Sequence, residues 1–304
     1  MKKYSPDIFK TKILGEKTAP EALARFLGKM DSISHQLLVD HWEGKEEVEA
    51  YPLVKIITLT LSCKFILGTD NPERIARLVS DFDDVTLGMH SIMLNVPGTI
   101  FYKANKAAAA IRKELLLVIK EKEAALATGE PLHDILSHMI VITDPSGKHM
   151  PEAEIADKMM GLIVAGYSTV ATAITFMMKY VGERPDIYDK IRAEHMEIAA
   201  SKKEGELLEW EDMHKMKYSW NVICETMRLN PPFQGTFREV LTDFTYAGLH
   251  HSKGLEEYAR LAVLAFLHNM VKKYKWEVLF PDERVIGDMI PTPERGLPLR
   301  LYQL

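Results

Sequence analysis

The chain has 304 residues, of which 47% are hydrophobic and 27% are charged, as in globular proteins with a sizeable core. Its net charge of -5 gives no support for nucleic-acid binding, which requires a basic surface. The two cysteines, Cys63 and Cys224, are too few for a disulfide framework or a cysteine-rich zinc site. The 16 methionines suit an adaptable interior that could hold a lipophilic ligand, although methionine is also an ordinary core residue.

Helical patterns dominate the first half of the chain. One predicted helix runs from residue 20 to about residue 41, and another begins at Asn71, a residue that can cap a helix. Residues 107–127 are rich in Ala, Leu, Lys and Glu and predict a third helix. Residues 1–6 are not followed by an apolar stretch, so neither a signal peptide nor a membrane anchor is expected there.

A long helix is predicted from Pro151 to about Val181. Residues 159–178 within it carry no charge and are long enough to cross a bilayer. The same residues include Gly161, Gly166 and several hydroxyl side chains, and no second membrane span is expected to accompany them. We therefore interpret the segment as a buried central helix of a soluble domain.

The last third of the chain predicts further helices and a little β-structure. Helices are predicted over residues 186–200, 218–229 and 255–274. Strands are predicted over residues 236–247, 275–278 and 297–301. The expected fold class is mainly α with a minor β-sheet.

A possible ion pair is formed by Glu225 and Arg228, whose spacing of three places both side chains on one helical face. The spacing alone is a weak signal, because Glu257 and Arg260 repeat it and such pairs are usually solvated. The first pair differs in its context, since a Pro-Pro dipeptide at 231–232 ends its helix.

The run Ala165-Gly166-Tyr167-Ser168-Thr169 lies in the middle of the uncharged helix. Small residues there would let a flat cofactor approach, and the threonine hydroxyl could interrupt the helical hydrogen-bond ladder. The alternative is that the small residues serve close packing at a helix crossing.

Together these motifs resemble the cytochromes P-450, the haem-thiolate monooxygenases. The run 225–228 with the prolines and Phe237-Arg238 resembles the K-helix and its exit strand, and residues 165–169 resemble the oxygen-activating Ala/Gly-Gly-x-Asp/Glu-Thr segment. Further runs resemble plant triterpene-oxidising members, in particular the β-amyrin 28-oxidases: His41–Lys45, Asp134–Met139, Met216–Val222, Pro231–Glu239 and Glu257–Leu261. The resemblance covers roughly residues 19–248 and 257–304.

The resemblance implies a cytochrome P-450 fold, a haem cofactor, NADPH-cytochrome P-450 reductase as the electron donor and a triterpenoid substrate. Intact members lie in the endoplasmic reticulum membrane, whereas this chain, without the anchor, is expected to be cytoplasmic or peripheral. By resemblance, Arg238 contacts a haem propionate, Phe237 lines the haem pocket, and Glu225 and Arg228 fix the K-helix.

The resemblance also assigns roles in the long helix. Thr169 matches the threonine that assists proton delivery, Ser168 stands where the family has an acid, and Ala165 and Gly166 match the small residues before it. The serine departs from the family pattern and puts the proton relay in doubt.

The departure with the largest consequence is the missing haem-cysteine loop, Phe-x-x-Gly-x-x-x-Cys-x-Gly. Residues 250–255 join directly to the final helix, and neither Cys63 nor Cys224 occupies the ligand position, so no metal ligand is predicted. We expect residues 1–18 to be a remnant of the N-terminal β-region. Residues 19–304 are expected to form a single mainly helical domain with a break near 252–256.

Three readings follow for the function. The chain derives from a monooxygenase but is expected to lack turnover, with haem binding doubtful. Alternatively, it is a non-catalytic helical protein that binds a hydrophobic ligand or a partner. In the third reading it is an unstable fragment, because loss of the haem and its loop is expected to expose the inner faces of the long and last helices.

Overall fold

In a computed structural model of the chain, the described residues are 18–89, 91–144, 146–235, 253–287 and 289–304. Their helices are α1 (Thr18–Trp42), α2 (Ala50–Leu67), α3 (Pro72–Met89), α4 (Ile100–Ala127), α5 (Ile135–Val141), α6 (Glu152–Gly182), α7 (Pro185–Ala200), α8 (Trp210–Lys215), α9 (Lys217–Leu229) and α10 (Lys253–Lys273). Their strands are β1 (Glu47–Glu49), β2 (Tyr274–Val278), β3 (Val285–Ile286), β4 (Thr292–Pro293) and β5 (Pro298–Gln303).

The expected fold class, mainly α with a minor β-sheet, is confirmed. Strand β5 lies between β1 and β2 in an antiparallel sheet, and β3 pairs with β4. Trp276 lies opposite Leu301 in this sheet, and both side chains are buried against the helices. The predicted strand over residues 236–247 lies outside the described residues.

Helix α6 is the central element, as the uncharged run predicts. The side chains of its first half, including Met159, Ile163 and Tyr167, join α2, α3, α4 and α5 in one core cluster. Its second half, including Ile174 and Met177, joins α1, α7, α10 and the sheet in another. One helix therefore connects both parts of the core.

In the part of the chain that the structure describes, two helices, α2 and α6, are long and apolar enough to cross a membrane by length and composition alone. The expectation that the run 159–178 has no such companion was therefore wrong. In each helix 67% of the apolar window is buried inside the protein, as in the core helices of soluble domains.

The last helix, α10, is covered by other parts of the protein along residues 261–271. From Leu261 to Val271 every side chain of α10 is buried, mainly against α1, α6 and α7. The expectation that loss of the haem loop exposes this helix was therefore wrong for these residues. Protein contacts cover them directly.

Candidate functional site

The open face of α6 carries Gly161, Ala165 and Thr169, which follow one another at a spacing of four. Gly161 and Ala165 are exposed, and Thr169 is partly exposed. The Thr169 hydroxyl donates a hydrogen bond of 2.7 Å to the carbonyl oxygen of Ala165. Since this bond closes within one helical turn, the hydroxyl is held at the face that the resemblance assigns to the cofactor side.

Gly166 lies on the opposite, buried side of the helix. A Cβ atom added there would lie 3.2 Å from Ser62 Oγ and 3.6 Å from Tyr258 Cε1. The Ser62 and Tyr258 hydroxyls are themselves 3.2 Å apart, so they form a hydrogen bond directly beside the glycine. This contact explains the glycine by the close approach of α2, α6 and α10.

Ser168 is also buried, with 3% of its surface exposed. Its Oγ has no hydrogen-bond partner among the described groups, and the same is true of Thr172 Oγ1 one turn later. A buried hydroxyl without a partner is uncommon. The segment 165–169 is thus split between two faces, and only Ala165 and Thr169 share the open one.

Tyr167 takes part in a polar contact that the sequence did not single out. Its hydroxyl donates a hydrogen bond of 2.7 Å to Asp83, which in turn forms an ion pair with Lys55. Burial raises the pKa of Tyr167, and the nearby Asp83 charge raises it further. The phenol therefore stays protonated and acts as a donor that links α6 to α3.

The predicted pair of Glu225 and Arg228 is formed. The guanidinium donates two hydrogen bonds, of 2.8 and 2.7 Å, to the two carboxylate oxygens. Both side chains are exposed, by 57% and 67%, so the pair lies on the surface of α9. The hydrogen bond from Arg228 lowers the pKa of Glu225, and the same contact raises the pKa of Arg228.

The two cysteines do not fit a haem-thiolate centre. Cys63 is fully buried in α2, as expected of a small core residue, and burial raises the pKa of its thiol to about 12. Cys224 is exposed on α9, and partial burial raises the pKa of its thiol as well. Since the chain has no third cysteine, no residue of it is poised to supply a thiolate.

Two further residues are expected to contact the haem. Arg238 and Phe237 lie outside the described residues. Within the part of the chain that the structure describes, no group of three or more His, Cys, Asp or Glu side chains could hold a metal ion. The Thr169–Ala165 bond on α6 and the Glu225–Arg228 pair on α9 are thus formed as two separate features of the described residues.

Comparisons with known proteins identify the family of the chain. A family model described as Cytochrome P450 matches residues 30–256. A beta-amyrin 28-monooxygenase from Medicago truncatula is 41% identical over 353 residues, which cover 99% of this chain and 72% of the relative. A beta-amyrin 28-monooxygenase from Vitis vinifera is 40% identical over 96% of this chain and 71% of the relative.

The fold is also found among solved structures. A retinoic acid-bound cyanobacterial CYP120A1 superposes with a TM-score of 0.82, covering 97% of this chain and 78% of that one at 24% identity. The alignment with the Medicago truncatula relative is 353 positions long and this chain has only 304 residues, so at least 49 positions have no residue here. The chain is therefore a shortened member of the cytochrome P450 family.

Proposed function

We propose that this chain derives from a triterpenoid monooxygenase but does not carry out haem-thiolate oxygenation itself. The observation that carries this proposal is the position of its two cysteines, one sealed in the core and one on an outer helix. The relatives are named for the oxidation of β-amyrin. In intact members a cysteine thiolate donates electron density to the haem iron and favours O–O bond cleavage.

Cys63 could not take over that role without opening the core in which it is buried. With a pKa of about 12, the Cys63 thiol is ionised in only about one molecule in 10⁵ at pH 7. Its side chain belongs to the buried cluster with Tyr167, whereas the open face of α6 carries Ala165 and Thr169. Partial burial raises the pKa of the Cys224 thiol, and the positive charge of Arg260 offsets this only in part, so its thiolate is not favoured either.

The test is a carbon monoxide difference spectrum of the full chain reconstituted with haem. We expect no strongly red-shifted Soret band, and the same spectrum for Cys63→Ser and Cys224→Ser. A red-shifted band that one of these exchanges abolishes would refute the proposal. Far-UV circular dichroism of all three proteins shows whether the helices are intact in each.

A second candidate is binding of a triterpenoid without turnover, with NADPH-cytochrome P-450 reductase no longer required as a partner. It is favoured by the stripe of small residues on α6, where Gly161 and Ala165 are exposed and Thr169 is partly exposed. A rigid polycyclic ligand fits this stripe because Gly161 and Ala165 carry no side chain larger than a methyl group.

Fluorescence titration with β-amyrin tests this candidate, because the chain contains 4 tryptophans. We expect Thr169→Phe to abolish saturable binding. Thr128→Phe is the matched control, since Thr128 is exposed and its hydroxyl also bonds a carbonyl of its own helix, at 2.8 Å. Equal affinity in both variants would place the ligand elsewhere or show that none binds.

For localisation we propose a peripheral association with a membrane through the connection between α3 and α4. Here Ile92 and Met93 are 87% and 84% exposed, and five further apolar side chains between residues 87 and 100 are at least 49% exposed. Exposed apolar clusters of this kind mark interaction surfaces. Flotation with phosphatidylcholine vesicles should recover the chain but not Ile92→Ser/Met93→Ser, whereas Leu117→Ser, an exposed control on α4, should float normally.

A further inference from the structure

A buried hydrogen-bond chain joins three helices at a distance from the open face of α6. His195 on α7 is fully buried, and His268 on α10 is 2% exposed. Their Nδ1 atoms are 3.1 Å apart, and Nε2 of His195 lies 3.0 Å from Oγ of Ser219 on α9. The Ser219 hydroxyl donates a 2.6 Å hydrogen bond to the carboxylate of Glu194.

The carboxylate fixes the position of every proton in this chain. A carboxylate oxygen only accepts, so the Ser219 proton points to Glu194 and its oxygen accepts from Nε2–H of His195. The Nδ1 atom of a neutral His195 is then an acceptor, and Nδ1–H of His268 must be the donor. The direction runs from His268 through His195 and Ser219 to Glu194.

Glu194 also holds the first turn of α9. Its two carboxylate oxygens accept hydrogen bonds from the backbone N–H groups of Tyr218 and Ser219, at 2.8 and 2.9 Å. An acceptor from a neighbouring helix satisfies donors that a helix start leaves without intrahelical partners, and its charge is favourable there. The hydrogen-bond chain therefore connects the start of α9 to both α7 and α10.

We propose that this hydrogen-bond chain is an acid-sensitive latch. It holds α7, α9 and α10 together only while both imidazoles are neutral. If both rings were protonated, each Nδ1 atom would carry a hydrogen, and the two N–H groups would face each other. The short distance between the two Nδ1 atoms requires one donor and one acceptor. Protonation of both rings would also place two positive charges in an apolar core.

Burial and most of the surrounding charges also disfavour protonation of the two imidazoles. Burial is the main cause that lowers the pKa of both imidazoles to about 3; the charge of His195 contributes for His268, and the positive charge of Lys272 on α10 contributes for both. Asp212 on α8 acts on His268 in the opposite sense, but Lys202 forms an ion pair with it at 2.8 Å. The charge of Lys202 also lowers the pKa of His268, and Glu194 reaches the rings through Ser219.

The pH dependence follows from the lowered pKa values. In the unfolded chain both histidines have their ordinary pKa of 6.5, so below that pH the unfolded state binds more protons than the folded one. The stabilising contribution is complete above pH 6.5 and is lost as the pH falls towards 3. With two histidines, the folding equilibrium constant decreases by about 100-fold for each pH unit well below 6.5.

The experiment is a series of urea unfolding curves of the full chain between pH 7.5 and 4.5. His268→Gln should reduce the dependence to about tenfold per pH unit, because one buried histidine remains. His133→Gln is the control, since this histidine is exposed and should leave the slope unchanged. Equal slopes in the unmodified chain and in His268→Gln would overturn the proposal.

A spectroscopic measurement keeps the test independent of the variant's folding. Nitrogen-15 NMR of labelled imidazoles in the unmodified chain should show His195 protonated at Nε2 and His268 protonated at Nδ1. Both rings should remain neutral down to about pH 4.5 while the chain is folded. Titration of both rings near pH 6.5 in the folded chain would contradict the latch.

Discussion

Replacing each of two glycines of α6 with leucine tests why this helix contains small residues. They serve either close packing against other helices or the approach of a cofactor. A Cβ atom at Gly161 meets nothing within 4 Å, whereas one at Gly166 lies 3.2 Å from Ser62 Oγ. Both positions are in the same helix. The change in helix propensity is therefore the same, a gain of about 0.8 kcal/mol for leaving glycine.

The two variants differ in what the new side chain displaces. At Gly166 the leucine must push α2 and α10 apart, at a cost of about 1–3 kcal/mol. It must also break the hydrogen bond between Ser62 and Tyr258, worth about 0.5–1.5 kcal/mol. Gly161→Leu should therefore be neutral or stabilising and Gly166→Leu destabilising, with a gap of about 3 kcal/mol.

Urea denaturation followed by far-UV circular dichroism measures this gap as a difference in transition midpoint at constant slope. In thermal melts it corresponds to about 5 °C, because the unfolding entropy is about 2.1 cal/mol/K per residue and the chain has 304 residues. Equal midpoints for the two variants would refute the close packing of α2, α6 and α10 at Gly166. A broad, non-cooperative transition of the unmodified chain would instead support the reading as an unstable fragment.

Three further outcomes are expected from the described contacts. Asp31→Ala should lower stability by about 2–4 kcal/mol in urea melts, because two buried donors lose its carboxylate, whereas the exposed Asp40→Ala on the same helix should have little effect. Glu225→Gln should leave the melting temperature unchanged, since its ion pair is exposed; a clear drop would show a buried partner. In the folded chain a thiol reagent should modify Cys224 and not Cys63, and modification of both at equal rates would contradict the buried position of Cys63.

The helices that the sequence predicted well have both an apolar period and clear ends. Helix α6 was expected over residues 151–181 and is found over Glu152–Gly182, and α9 was expected over residues 218–229 and is found over Lys217–Leu229. Pro151 and Gly182 bound α6, and two prolines follow the end of α9; both residue types restrict where a helix can begin or end. Local chemistry was sufficient for these elements.

Helix α2 was not predicted, and its sequence explains why. It contains several β-branched residues, among them Ile56, Ile57 and Thr58, which are typical of strands. The residue before it, Glu49, makes no side-chain capping bond. With 12 of its 18 side chains buried, tertiary packing determines its helical form, and a short apolar run cannot show this by periodicity alone.

At the candidate site, too, the sequence predicts contacts within one element but not contacts between distant elements. The Thr169–Ala165 bond and the Glu225–Arg228 pair lie within one turn of a helix, and spacing predicts both. The partners of Gly166 come from distant parts of the chain, because Ser62 and Tyr258 are 196 residues apart. No local pattern indicates that these two hydroxyls meet beside that glycine.

The position of Gly166 divides α6 into a packed side and an open side. Its side of α6 is covered by α2 and α10, whose contacts do not involve the missing cysteine loop. The opposite side carries Ala165 and Thr169, and that side is open to solvent. The packed side of the central helix therefore holds the core together through contacts between helices, and these contacts do not depend on the residues of the open side.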